Sequence, residues 1–247
     1  MNWLLLTRHL ESTKNRDDRF AQRGDDDHLT STALGEADSF CHAIVDFLGT
    51  LQVRTVEVFA SSTPRAVESV TGICAALHVT PVLDPALASI VVPETAGLSS
   101  KELRLLDPVA AWELNLYRAG LFDTYSMRHV GPLAPSYERQ IEGRINHIAA
   151  SSADGCVLVA HRSTLTTALI GLARRCGYYP VDFFGFLPME FGASSLVYFE
   201  RGTPKSVVFA NLPPGELNTI GKEFVDLVRA SGFSPGIRST LQRPLSD

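Results

Sequence analysis

Trp3-Leu4-Leu5-Leu6 is a run without a polar residue, the pattern of a short strand buried on both faces, and it stops abruptly at Thr7-Arg8-His9. The pattern recurs twice. Val56-Glu57-Val58-Phe59-Ala60 gives way to Ser61-Ser62-Thr63-Pro64-Arg65, and Cys156-Val157-Leu158-Val159-Ala160 gives way to His161-Arg162-Ser163. Helical spacing separates these runs. Leu34, Ala37, Phe40, Cys41, Ile44, Phe47 and Leu48 share a face behind Thr32, which reads as the N-cap. Val67, Val70, Ile73, Cys74 and Leu77 share another behind Pro64, a residue suited to a first helical turn. Tyr137, Ile141, Ile145 and Ile148 mark a helix over 136–150, and a further helix is expected over about 164–176. Residues 14–30 are highly charged and read as loop, and 81–83 as a short strand. Residues 194–200 and 205–210 read as a hairpin around Gly202, and an amphipathic segment covers 217–230.

Strands alternating with helices predict a mostly parallel sheet with helices on both faces, a three-layer α/β/α fold. In such sheets ligands bind outside the carboxyl ends of the strands. The polar groups Arg8-His9, Ser62/Arg65 and His161-Arg162 should therefore converge on one crevice. The whole chain, 1–247, is expected to form a single domain. The less regular stretch at about 84–135 holds helical patterns near 99–106 and 109–117 and reads as a lid-like insertion over the site. A loose tail is expected from about residue 231.

Composition narrows the function. The net charge of −5 argues against a general nucleic-acid binder but leaves room for a local positive pocket. The four cysteines, Cys41, Cys74, Cys156 and Cys176, form no CxxC pair and sit in apolar stretches, as free thiols do in a reducing compartment. The apolar run at the N-terminus is too short for a signal peptide, and no run reaches membrane-spanning length, so the cytoplasm is the expected location and no membrane partner is expected. The histidines lack metal-ligand spacing, and neither a metal nor another cofactor is expected.

Two histidines and several arginines at adjacent strand ends suit a phosphate. The guanidinium fork matches phosphoryl oxygens and stays charged. Helix N-termini add backbone donors, and a neutral imidazole is a competent nucleophile toward phosphorus. A single histidine at a strand end is as a rule a surface or capping residue; the argument rests on the repetition of the pattern at three strand ends.

Those residues also resemble a known family. Thr7-Arg8-His9-Leu10-Glu11-Ser12, with Asn15 six positions after His9, is similar to the Arg-His-Gly-Glu signature of the histidine phosphatase superfamily, also called phosphoglycerate-mutase-like. Ser61-Ser62-Thr63-Pro64-Arg65-Ala66 resembles its second motif, and Leu158-Val159-Ala160-His161 the strand carrying its second histidine. The resemblance spans roughly residues 3–212. It implies that His9 becomes phosphorylated, that Arg8, Arg65 and His161 hold the phosphoryl oxygens, and that Ser12, Asn15 and Ser62 help bind phosphate or substrate.

Three departures from the family pattern matter. Leu10 and Arg162 stand where glycine usually follows each histidine; Arg162 either adds an anion contact or points to solvent. The family's proton-donating glutamate falls on Ser89, a poor general acid. Glu94 is the nearest carboxylate and the candidate acid; otherwise the substrate supplies the proton, or the chain binds phosphate and turns it over poorly. The insertion's Lys101, Arg104, Arg118, Arg128 and His129 do not match a mutase pattern. Its Trp112, Tyr117, Phe122 and Tyr125 hint at a substrate with a bulky or apolar part. The expectation is thus a phosphatase acting on a small-molecule phosphate monoester, monomeric or homodimeric. A mutase-type phosphotransferase and a non-catalytic phospho-ligand binder are the alternatives.

Overall fold

A computed structural model describes residues 2–22, 24, 26–118, 120, 127–177 and 189–230. A six-stranded sheet in the order β3-β2-β4-β1-β5-β6 forms its centre. The strands are β1 (Trp3–Arg8), β2 (Val56–Ser61), β3 (Val82–Asp84), β4 (Gly155–Ala160), β5 (Ser194–Glu200) and β6 (Thr203–Leu212). β1 to β4 run parallel, and the hairpin β5–β6 adds two antiparallel strands at one side. The expected mostly parallel sheet is therefore present, with its hairpin.

Alternation along the strands divides the interior in two. Leu4 and Leu6 of β1, with Leu158 and Ala160 of β4, pack on one face, while Trp3, Leu5, Val157 and Val159 pack on the other. The second face is covered by α2 (Ser31–Thr50), α3 (Pro64–Leu77) and α8 (Lys222–Ala230). The first is covered by α5 (Pro108–Arg118), α6 (Ala134–Ala149) and α7 (Arg162–Arg175), with the short α4 (Ser100–Leu106) beside them. Among the described residues no helix is long and apolar enough to cross a membrane.

Several element ends differ from the pattern-based expectation, for local reasons. α2 begins two residues earlier than Thr32 implied, because Thr30 is the cap and its side chain accepts from Ala33 N. The charged stretch after His9 opens with a helical turn, α1 (Thr13–Arg16), instead of pure loop. Asp27 Oδ1 accepts from Lys14 N and Thr13 Oγ1 at 2.8 Å each, so the cap comes from a residue distant in sequence. α7 starts at Arg162, which places that residue in the first turn rather than before the helix. The amphipathic segment 217–230 divides into a π-helical turn, Leu217–Gly221, and α8. Of the insertion's aromatics, Tyr117 is fully buried in the core and Trp112 is exposed. Phe122, Tyr125 and the tail from 231 lie outside the described residues.

Candidate active site

Register alone brings the three strand ends level. Arg8 pairs with Ala160 across β1 and β4, and Ala60 with Val159 across β2 and β4. One residue beyond the β1–β4 pair, His9 N donates to Ala160 O at 3.0 Å. The two imidazoles consequently face one another, with ring centroids 5.1 Å apart and planes 62° apart. Arg65, in the first turn of α3, reaches between them. Its Nε donates to His9 Nε2 at 3.3 Å, and its Nη2 lies 3.2 Å from His161 Nδ1. All three side chains are buried, each no more than 2% exposed.

The hydrogen bonds define the tautomers. A guanidinium only donates, so His161 Nδ1 accepts, and its Nε2–H turns to Ser61 Oγ at 2.9 Å with Thr63 Oγ1 at 3.3 Å. His9 Nδ1–H donates to Leu10 O at 2.6 Å, which leaves the unprotonated Nε2 to accept from Arg65 Nε. Burial, followed by the charges of Arg65 and Arg8, holds the His9 pKa well below its ordinary 6.5. Burial and Arg65 do the same to His161. Both rings are therefore neutral at physiological pH.

Arg8 closes one side. Its guanidinium carbon lies 3.8 Å from the centroid of the Phe191 ring, and Nη1 donates to Met189 O at 2.6 Å. Its buried Nε meets no hydrogen-bond acceptor among the described residues. Burial and the charges of Arg162, Arg118 and Arg65 pull the Arg8 pKa down to about 9, a relation that an anion would relieve.

Asp27, which the sequence reading passed over, organises the floor. Its Oδ2 accepts from Ser12 Oγ at 2.6 Å and from Arg65 Nη1 at 3.1 Å, while Arg65 N donates to Asp27 O at 3.1 Å. Burial raises its pKa, but the bonds from Ser12, Lys14 N and Thr13, with Arg65, outweigh that and leave it below the usual carboxylate range. Its place inside the run Asp25-Asp26-Asp27 gave no local signal that Asp27 turns inward.

The remaining sequence-predicted residues divide. Ser12 is buried against Asp27, with Asn15 Oδ1 2.7 Å from its hydroxyl. Ser62 is exposed, and its neighbour Ser61 is the serine that meets His161. Arg162 opens α7 directly after His161 and is half-buried. Leu10 leaves the pocket altogether; its side chain is 4% exposed within the core on the α2 side. Glu94 lies exposed on a 3₁₀ turn, Pro93–Thr95, and no hydrogen bond joins it to the histidines or arginines of the cluster among the described contacts.

Ser89, at the place of the family's acid, sits on a firmly held segment. On one side of it Ala88 O accepts from Tyr137 Oη at 2.9 Å, and on the other Ile90 N donates to Ser163 Oγ at 3.2 Å. Thr164 Oγ1 adds a bond to Leu87 O at 3.1 Å. The segment thus lies against the start of α7, next to His161. Among the described residues no group of three or more His, Cys, Asp or Glu could hold a metal ion.

Two imidazoles and a guanidinium group thus meet at the carboxyl edge of a mostly parallel α/β sheet, the edge at which such sheets bind ligands. The model of the histidine phosphatase superfamily (branch 1) matches residues 4–211, and the chain belongs to that family. Solved structures share the fold at low identity. The phosphoserine phosphatase of Entamoeba histolytica, in complex with 3-phosphoglyceric acid, is 18% identical, with a TM-score of 0.63 over 86% of this chain and 98% of its own. The α-ribazole phosphatase of Shigella flexneri is 16% identical, with a TM-score of 0.63 over 85% and 96%. The mycobacterial glucosyl-3-phosphoglycerate phosphatase, complexed with VO3, is 15% identical, with a TM-score of 0.63 over 80% and 92%. A search by sequence against curated proteins finds no match.

Proposed function

We propose that the protein is a phosphatase that hydrolyses a small-molecule phosphate monoester through a phosphohistidine on His9. The observation that carries this reading is the geometry of His9: a neutral ring with Nδ1–H tied to Leu10 O and a lone pair on Nε2 beside a buried guanidinium. In the first step the Nε2 lone pair attacks phosphorus in line as the ester P–O bond breaks, and the leaving oxygen takes a proton. Arg65, Arg8 and His161 hold the equatorial oxygens and neutralise the charge spread over them. In the second step water attacks phosphorus and gives its proton to the group that protonated the leaving oxygen, the P–N bond breaks, and phosphate leaves with the ring again neutral. The arginines supply the positive charge, so the proposed reaction needs no metal and should survive a chelator. We place the enzyme in the cytoplasm, acting on a soluble ester. The named phosphatases with the same fold favour hydrolysis over a mutase reaction, and the insertion offers no mutase pattern.

The test compares wild type with His9→Ala on p-nitrophenyl phosphate and on several natural esters. Loss of at least about a thousandfold in kcat/KM is expected, with acid-labile, base-stable phosphate on His9 after mixing with substrate. Equal rates for both proteins would remove the catalytic reading. A phospho-ligand sensor is the second reading, favoured by Ser89 in place of a carboxylic acid. Glu94 is the proposed acid, reaching the leaving group by rearrangement of its exposed turn. Glu94→Gln should lower turnover about tenfold or more for esters with poor leaving groups and little for p-nitrophenyl phosphate. An unchanged ratio between the two removes Glu94 from the mechanism.

A further inference from the structure

The first turns of α3 hold both segments that run into the catalytic cluster. Ser69 Oγ accepts from Leu10 N at 3.0 Å and donates to Arg65 O at 2.7 Å, which fixes the backbone after His9. Arg65 holds Asp27 twice, through its guanidinium and through its amide. Glu68, a turn on from Arg65, holds the two residues that follow Asp27. Its Oε2 accepts from Leu29 N at 2.8 Å, and its Oε1 meets His28 Nδ1. The other ring nitrogen, His28 Nε2, lies 3.2 Å from Asp26 Oδ1. One imidazole thus spans Asp27, from the carboxylate before it in the chain to the carboxylate on α3. The phosphohistidine chemistry makes no use of this ring.

The span is complete only when the ring is charged. A neutral imidazole has one N–H and one lone pair, and a carboxylate accepts without donating. With both nitrogens against carboxylates, only the doubly protonated ring makes both bonds. The neutral ring gives up one of them and turns a lone pair toward an anion. The charged groups that bear on the ring are Glu68 of α3 and Asp26 of its own loop. From α1 the contact is with backbone, Thr13 N donating to His28 O at 3.0 Å. The hydrogen bond and charge of Glu68, followed by Asp26, raise the His28 pKa above its ordinary 6.5. The bridge is therefore whole at acidic pH and opens as pH rises through the raised value. His28 and Asp26 are exposed, so the bridge adds little to global stability. Its leverage is positional. Asp27 Oδ2 sits between Ser12 and Arg65, and Arg65 in turn reaches both catalytic imidazoles.

We propose that His28 and Glu68 are positioning residues for phosphoryl transfer: the protonated ring ties Asp26 to Glu68 and so keeps Asp27 set against Arg65, and loss of the ring proton lets that pair shift. The proposal rests on the phosphatase reading for its effect on turnover, but not for the bridge itself.

The experiment compares His28→Gln and Glu68→Gln with wild type on p-nitrophenyl phosphate from about pH 5.5 to about pH 9. The ratio of variant to wild-type kcat at each pH removes the ionisation of substrate and of the general acid, which all the proteins share. His28→Gln should turn over about two- to fivefold more slowly than wild type at the acidic end, and at the same rate at the alkaline end, where wild type has itself lost the bridge. Glu68→Gln should show the same convergence. The ring signals of His28 in NMR, assigned by their loss in His28→Gln, should titrate above 6.5 in wild type and closer to 6.5 in Glu68→Gln. A ratio that stays constant across pH overturns the proposal, since a constant deficit marks a merely structural role and a constant unity marks none. A His28 titration at or below 6.5 in wild type overturns it equally. Should no ester be hydrolysed, the phosphatase reading fails separately, and calorimetric titration with inorganic phosphate at the two pH extremes decides the bridge. An affinity deficit of His28→Gln confined to the acidic end supports it, and a deficit independent of pH, or none, overturns it.

Discussion

Asp27 shows how far a single residue determines the site. It spends one carboxylate oxygen on Thr13 and Lys14 N and the other on Ser12 and Arg65, and so ties the loop after His9 to the arginine that lies between the two imidazoles. Asp27→Asn keeps the shape but removes a buried charge and turns one oxygen into a donor facing Arg65 or Ser12. Arg65 then loses its ion pair with Asp27. We expect kcat to fall about tenfold or more while KM moves less, since Arg65 acts on charge that develops in the transition state. Steady-state kinetics alongside a thermal melt checks this; a drop in melting temperature with unaltered kcat would make Asp27 purely structural. Much of the site was legible at this scale: Arg8, His9, Arg65 and His161 follow from polar residues at strand ends. Asp27 was not, because nothing local marks which acid of an acidic run faces inward.

At the scale of elements, the pattern of apolar residues located strands and helices well, and its errors fall at their ends. The cap of α2 and the turn α1 depend on hydrogen bonds that periodicity does not encode. The turn before β5 shows a compensation between segments. Gly192 has φ of +70°, and a Cβ there would stand 3.2 Å from Leu10 Cδ2 and 3.1 Å from Pro214 Cγ. The family pattern has glycine after the first histidine; here Leu10 takes that place and Gly192 leaves room for it. Gly192→Ala should destabilise the fold by about 1–3 kcal/mol through both strain and crowding. Leu10→Ala should recover part of that loss, because the two substitutions share one space. Urea unfolding of the single and double variants measures the coupling, and strict additivity would show that the crowding is not shared.

Across the whole molecule, two buried neutral histidines link stability to pH. His9 and His161 both have folded pKa values well below 6.5, with burial the leading cause. The unfolded chain therefore binds more protons than the folded one once pH falls below about 6.5. Their contribution is fully present above that value and is lost as pH falls from there toward the lower folded pKa. Denaturant titrations from neutral to acidic pH should show this decline, and it should shrink in His161→Gln. The same shift places the acidic limb of kcat/KM for the free enzyme below 6.5. A limb at or above that value would mean that His9 is not held neutral by burial.

What the amino-acid sequence determined by itself was the order of buried strands and amphipathic helices, the polar groups that end three of those strands, and the family to which they point. Those features are local: a run of apolar residues, a 3.6-residue spacing, a histidine beside an arginine. What only the tertiary structure decided was which atoms meet. The parallel register sets His9 level with His161, packing buries both rings and so neutralises them, and a contact across more than a dozen residues brings Asp27 to Arg65. Charge and protonation arise from distances in space, and the linear pattern of residues carries no distance between segments far apart in the chain.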